Sequence, residues 1–268
     1  MKEHTVRIAL GQMQSGSDVD ANLVALARFV EKSALLGAHV IVLPEYATYL
    51  KKFVDETFPE VAEPLDGPVC TELSRLAAHH GVAVVAGVLE VSDDPYRPYN
   101  TMVAYGPDGR RLASYRKIHL FDAQGHAESD FITGAIEPQP VFFDLDGLRF
   151  GFLTCYDLRF PELARALAVD GAHVLLSCAA WVPGEHKLRQ WQTLSAARAI
   201  ENGLYMVGSC QAEPLSVGHS LVIDPMGTAI AELGVEPALA VVDIDRRVVA
   251  ETRRRFPMLT QRRLPGTK

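Results

Sequence analysis

Cysteine is scarce in this 268-residue chain, with four residues at positions 70, 155, 178 and 210. They form no CxxC pair and no short Cys/His spacing, which excludes a zinc finger or ribbon and leaves no metal site to assign. Long apolar runs are missing as well: nothing approaches the ~18 consecutive apolar residues of a membrane span. The first ten residues are charged through Arg7 and lack the apolar core of a secretory signal, so the expectation is a cytoplasmic protein with reduced thiols. No Ser/Gly-rich or Pro-rich linker divides the chain, which favours one domain over 1–245. Acids are nearly absent from 246–268, where seven Arg and Lys268 face Glu251 alone, whereas the residues before them hold 18 bases against 32 acids. Such a basic end can be a nucleic-acid or membrane arm. Here the acidic body opposes the long-range attraction that nucleic-acid binding relies on, and the arginines are interleaved with Val248, Val249, Phe256, Met258 and Leu259. The expectation is a basic C-terminal arm that packs, with no nucleic-acid or membrane partner.

What is present is an alternation of short β-branched runs with helical patterns. Val6 to Gln12 predicts a strand, Val19 to Leu36 an amphipathic helix, and Val40 to Leu43 a buried strand stopped by Pro44. A helix around Val69 to His80 follows, then strands at Val82 to Val91 and Asn100 to Tyr105, and a Pro107-Asp108-Gly109 turn into Arg111 to Lys117.

The order then recurs. VRIALGQ from Val6 aligns with LRFGFLT from Leu148, GAHVIVLPE from Gly37 with GAHVLLSCA from Gly171, and GVAVVAG from Gly81 with GLYMVGS from Gly203; Pro107-Asp108-Gly109 answers Pro225-Met226-Gly227. Four matches in one order indicate two similar halves of the α/β class, each a sheet with helices on one face; two such sheets packed face to face bury both. In α/β sheets, ligands gather beyond the carboxyl ends of strands. That gives priority to Pro44-Glu45 and to Cys155-Tyr156-Asp157.

Cys155 ends an apolar strand and precedes the helix-starting Pro161-Glu162, so it sits on a tight elbow that exposes a nucleophile and gathers backbone N–H groups near it. A free thiol is only slightly ionised at neutral pH and needs a base or cation nearby. Taken alone, Cys155 reads first as a small buried core residue and only second as a nucleophile. Glu45 follows a buried run, where its carboxylate would be carried inward and biased toward general-base work, or it is a solvated loop residue. Lys117 lies between apolar flanks at a strand end, either to stabilise an oxyanion or to form an ordinary ion pair. The histidines at 79, 80, 119, 126 and 186 form no ligand spacing and no dyad with Cys155, and receive no catalytic role.

Taken together, LPEYATY, YRKIHLFD and LTCYDLRFPEL resemble, in order and spacing, the three signature segments of the nitrilase superfamily of carbon–nitrogen hydrolases. ARAIENGLYMV and GHSLVIDPMG are similar to its later segments, and the CYDLRFPEL wording is most similar to the omega-amidase and deaminated-glutathione amidase branch. The resemblance implies a four-layer αββα sandwich assembled as a homodimer or larger, with the arm of 246–268 at the subunit interface. It implies a cofactor-free amidase acting on a small, carboxylate-bearing amide. Cys155 would attack the carbonyl, Glu45 would shuttle the proton, and Lys117 with the Tyr156 backbone N–H would hold the oxyanion. Glu128, in Glu128-Ser129-Asp130-Phe131-Ile132-Thr133-Gly134, would position Lys117 and the substrate. Tyr49, Arg159 and Trp181, close to these segments, are candidate substrate contacts. Hydrolysis of an N-carbamoyl amine or a nitrile uses the same three residues, although Cys155-Tyr156-Asp157 departs from the Cys-Trp-Glu usual in nitrilases. A non-catalytic binding protein of the same fold is the remaining alternative.

Overall fold

The computed structural model describes residues 5–264. In the first half, β1 (Thr5–Gln12), β2 (Val40–Val42) and β3 (Ala83–Glu90) run parallel, joined through α1 (Val19–Leu35) and α2 (Pro68–His80). Two antiparallel strands, β4 (Tyr99–Tyr105) and β5 (Arg111–Arg116), complete that run. After β6 (Phe142–Leu145), the second half repeats the scheme with β7 (Leu148–Thr154), α3 (Pro161–Val169), β8 (Val174–Ala179), α4 (Lys187–Asn202), β9 (Tyr205–Cys210), β10 (Leu221–Ile223) and β11 (Ala229–Glu232). The chain then enters β12 (Ala238–Asp245) and α5 (Arg246–Arg255).

The duplication reaches single hydrogen bonds. His39 N–H donates to the Arg7 carbonyl at 2.8 Å, and His173 N–H donates to the Arg149 carbonyl at the same distance. The sixth strand of each sheet comes from the other half: the sheets run β12-β1-β2-β3-β4-β5 and β11-β10-β9-β8-β7-β6. β12 pairs antiparallel along β1 from Thr5↔Asp245 to Gln12↔Ala238, and β6 pairs antiparallel with β7. Each half is thereby closed by a strand of its partner half, so neither completes its sheet alone.

Burial follows the period-2 rule of strands. Val6, Ile8 and Leu10 join Phe150 and Phe152 in the core between the sheets, while Ala9 faces outward with Ile41 and Val84 toward α1 and α2. The helices begin and end on recognisable signals: Asp18 accepts from Ala21 N–H at 3.0 Å ahead of α1, Pro161 opens α3, and Gly81 and Gly203 close α2 and α4 in the left-handed region. The result is the four-layer αββα sandwich that the repeat implies. Among the described residues no helix is long and apolar enough to cross a membrane.

The basic end is not detached from the body. Val249 and Thr252 of α5 are buried, and the Arg253 guanidinium donates to the carbonyls of Ala172 (2.7 Å) and Asn202 (3.3 Å). Arg247 pairs with Asp245 and Arg254 with Glu251. Residues 265–268 of the expected arm lie outside the described residues.

Candidate active site

Cys155 stands directly after β7 with φ of 45°, a left-handed conformation that L-residues seldom adopt and that marks a strained turn. A short 3-10 turn over Cys155–Arg159 carries the chain to Pro161. Asp157 fixes this elbow. Its fully buried carboxylate accepts from Thr154 N–H (3.0 Å), Tyr115 hydroxyl (2.6 Å) and His119 N–H (3.0 Å), and the His119 Nδ1 lies 2.7 Å away. Tyr115 and His119 flank Lys117 two residues on either side, so one carboxylate staples the cysteine elbow to the lysine segment.

Glu45 follows β2 through Leu43-Pro44, as the strand-end argument predicts, and the close approach of its backbone to β3 depends on Gly87. Gly87 N–H donates to the Pro44 carbonyl at 3.1 Å and the Gly87 carbonyl accepts from Ala47 N–H at 3.0 Å. A Cβ on residue 87 would lie 2.7 Å from the Glu45 Cα and 2.8 Å from the Tyr46 nitrogen, closer than van der Waals contact allows. From the opposite half, Gln211 supports the same segment by donating to the Glu45 carbonyl at 3.0 Å.

The side chains converge from both halves. Lys117, 2% exposed, donates to Glu45 Oε1 at 2.9 Å and to both oxygens of Glu128 at 2.9 and 2.8 Å. Glu45 also accepts from Asn100 Nδ2 (2.7 Å) and Ala180 N–H (2.7 Å). Glu128, on a 3-10 turn over Glu128–Asp130, accepts from the Tyr46 hydroxyl (2.8 Å) and Phe121 N–H (2.7 Å). Burial alone would drive Lys117 toward its neutral form, but the carboxylates of Glu128 and Glu45 outweigh it and hold the ammonium well above its usual range. Burial likewise favours a neutral Glu128, and the Lys117 charge with the hydrogen bonds from Lys117, Phe121 and Tyr46 reverses that and holds its carboxyl below the usual range. At Cys155 burial wins: it pushes the thiol well up, the Glu45 carboxylate pushes further, and Lys117 opposes them only in part. The resting Cys155 is therefore a thiol held under the influence of the Glu45 carboxylate. Such a pair needs the proton to leave as the sulfur attacks.

These groups open on one cavity of about 590 Å³ that includes its solvent-facing mouth. Glu45, Lys117, Glu128, Cys155, Tyr156 and Trp181 all line it. Two expected contacts do not. The Tyr49 hydroxyl is 2.6 Å from Thr57 Oγ1 and its ring packs edge-on to Phe58, so it lies behind the wall. Arg159 donates to Gln190 Oε1 at 2.6 Å with its guanidinium 5.0 Å from the Trp181 ring, backing that indole. Sequence reasoning missed Tyr46, Asn100, Phe121, His126 and Lys187. Tyr46 is signalled by adjacency to Glu45; the others reach the site through loops and strand pairing that no local pattern announces. The arrangement brings together on one cavity a thiol, a carboxylate, a buried ammonium, and the N–H groups of a turn.

Comparison with known proteins agrees with this chemistry. The model of the carbon-nitrogen hydrolase family matches residues 7–254. A Mycobacterium tuberculosis protein named a hydrolase is 39% identical over 270 residues, covering 95% of this chain and 94% of its own. The human omega-amidase is 33% identical over 269 residues, covering 96% and 95%. Among solved structures, an amidase of the nitrilase superfamily from Nesterenkonia superposes with a TM-score of 0.84 at 26% identity, covering 98% of this chain and 96% of its own. In that structure the acetamide moiety of fluoroacetamide is covalently added at the active-site cysteine. With the family model spanning nearly all of the described chain, and relatives of this identity matched over 94–95% of their own length, the chain belongs to the carbon–nitrogen hydrolases of the nitrilase superfamily.

Proposed function

We propose that this chain is an amidase that hydrolyses the carboxamide of a small, carboxylate-bearing amide to a carboxylic acid and ammonia through a thioester on Cys155. The observation that carries the reading is the convergence of Glu45, Lys117 and Cys155 on one buried cavity wall. The Cys155 sulfur attacks the amide carbon while Glu45 takes the thiol proton. Lys117 and the Tyr156 backbone N–H stabilise the oxyanion of the tetrahedral adduct. Collapse breaks the carbon–nitrogen bond, Glu45 passes its proton to the departing nitrogen, and ammonia leaves a thioester. Glu45 then takes a proton from water as the water oxygen adds to the thioester, and the carboxylic acid departs with the thiol restored. Glu128 keeps Lys117 charged and oriented. The likeness to the human omega-amidase supports the amidase reaction, and the covalent adduct on the Nesterenkonia amidase's cysteine supports a cysteine as the attacking group.

Ammonia release by wild type and Cys155→Ala, measured on omega-amides, N-carbamoyl amino acids and nitriles, tests it. Omega-amides should be turned over only by wild type, with an acyl adduct on Cys155 visible by mass spectrometry. A wild type no faster than the variant on every class would refute the amidase reading, and turnover confined to another class would reassign the substrate.

Assembly through the basic arm belongs to the same proposal. Val248 and Phe256 of this segment are exposed beside arginines, offering apolar anchors and charges for a second copy's acidic body. Removing 256–268 should shift the mass in light scattering toward the monomer, and an unchanged mass would argue against the arm.

A further inference from the structure

Lysines wall the cavity at four positions, and three have their charge accounted for. Lys117 is bound by two carboxylates, Lys51 is paired with Asp55, and Lys52 is exposed to water. Lys187 differs from all of them. It is 2% exposed, and among the described residues its ammonium has no ion-pair partner and no hydrogen-bond acceptor. Its Nζ lies 4.8 Å from the ring centroids of both Phe121 and Trp181, two aromatic faces of the same cavity. Ring quadrupoles offset part of the cost of burying a cation but supply no acceptor for its three donors. Burial accordingly pulls the ammonium below the usual lysine range, with Cys155 opposing and Arg159 adding to the effect.

The residue is nevertheless held firmly in place. The indole N–H of Trp181 donates to the Lys187 carbonyl at 3.0 Å, and Lys187 N–H donates to the Gly184 carbonyl at 3.1 Å. Lys187 is also the first residue of α4, at the positive end of that helix. A fixed, largely buried cation that has no ion-pair partner among the described residues and stands on the wall of a binding cavity is poised for an anion brought by the ligand. The other wall carries the opposite bias: Glu45 and Glu128 place two carboxylates around one ammonium beside Cys155, which disfavours an anionic group there. The cavity is thus polarised, with one end suited to a neutral carboxamide and the other to an anion.

Resting on the amidase reading above, we infer that Lys187 is the specificity-determining residue for the acyl end of the substrate, pairing with a carboxylate carried on the acyl chain while the carboxamide lies against Cys155. Phe121 and Trp181 flank the methylenes between the two ends. Hydrolysis creates a second carboxylate beside Glu45 and Glu128, and that repulsion favours product release.

The test compares kcat/KM for the monoamides of succinic and glutaric acid with that for butyramide and valeramide, their counterparts ending in methyl. Wild type should favour the acidic amides. In Lys187→Met the ratio should fall about ten- to hundred-fold, chiefly through KM, as expected for losing a charge-assisted hydrogen bond. Lys187→Arg should restore a substantial part of it. A ratio that Lys187→Met leaves unchanged, in an enzyme that still releases ammonia, overturns the role of Lys187 and leaves the amidase reading standing; ammonia release from neither amide by wild type overturns both. Should Lys187→Met not fold, competitive inhibition of wild type decides the matter. Butyrate and valerate should inhibit at least about ten-fold more tightly than the uncharged 1-butanol and 1-pentanol, and equal inhibition overturns the inference.

Discussion

The two halves share strand order, helix placement and individual backbone hydrogen bonds, yet they supply different chemistry. The first half places Glu45 after β2 and, beyond β5, Lys117 and Glu128. The second half places Cys155 after β7 and the walls Trp181 and Lys187 after β8. Aligning the repeats places Glu45 opposite Ala179 and Cys155 opposite Met13, one residue beyond Gln12. Where the second half bends into its elbow, the first half spends the corresponding strand end on a tie: Gln12 Nε2 donates to the carbonyls of Gly234 (2.8 Å) and Glu236 (2.7 Å), and its Oε1 accepts from Ser220 N–H at 2.9 Å. A duplicated scaffold has therefore kept one functional set of strand ends and turned the equivalent set into structure. Because Cys155 is pressed by two carboxylates of the other half, the reactivity of the second half is set by the first.

Cutting that cross-half connection should have the largest effect. Cys155→Ala and Glu45→Gln should each lower ammonia release by about 10³-fold or more, and the double variant should be little worse than either, as for residues acting as one unit. Additive losses would mean that the two halves act independently. The same connection predicts the titration of the thiol. Its acidity is weakened in the folded protein, so as pH rises through the range where ordinary cysteines ionise, the thiolate absorbance of wild type minus Cys155→Ser should stay low and appear only at higher pH. A thiolate already present at neutral pH would show that Lys117, and not burial with Glu45, governs the sulfur.

The features legible in the sequence were those that depend on local pattern. β1, α1, α2 and the turn at 107–109 follow from period, caps and turn residues, and the strand ends after β2 and β7 drew attention to Glu45 and Cys155 without reference to the fold. Closure of each sheet by the other half's strand was not legible, because nothing within β6 or β12 marks its partner, which tertiary packing chooses. Sequence proximity failed for Tyr49 and Arg159: within one loop Tyr46 and Leu50 face the cavity while Tyr49 turns behind it, and that orientation depends on the positive φ of 56° at Tyr46. Lys187 was equally hidden, since the turn that delivers it runs through His186 in the left-handed region and no motif marks it.

A second way to probe the halves is the glycine that admits Glu45 to its place. Gly87→Ala keeps every functional side chain and should still destabilise the protein by about 3 kcal/mol, because the new Cβ meets backbone on the Glu45–Tyr46 side. It should also slow turnover by moving the base away from the sulfur. The repeat-aligned position in the second half, Ser209, already carries a side chain, whose hydroxyl donates to the Gly11 carbonyl at 2.8 Å. The need for glycine is thus specific to the half that carries Glu45. A Gly87→Ala protein with wild-type melting and wild-type kcat would remove that distinction.

The smallest effect is expected at the structural counterpart of the elbow. Gln12→Ala abolishes the tie to Gly234, Glu236 and Ser220 and should cost about 1–2 kcal/mol of stability, tempered because the 234–236 loop reaches solvent and water can take over its carbonyls. Since Gln12 touches none of the groups around Cys155, kcat/KM on an omega-amide should change by less than about two-fold once the protein is folded, within the modest range of substitutions remote from the chemistry. Denaturant melts and steady-state kinetics on the same preparation separate the two quantities. A loss of activity larger than the loss of stability would mean that the strand end of the first half still acts on the site, and that the two ends differ in degree and not in kind.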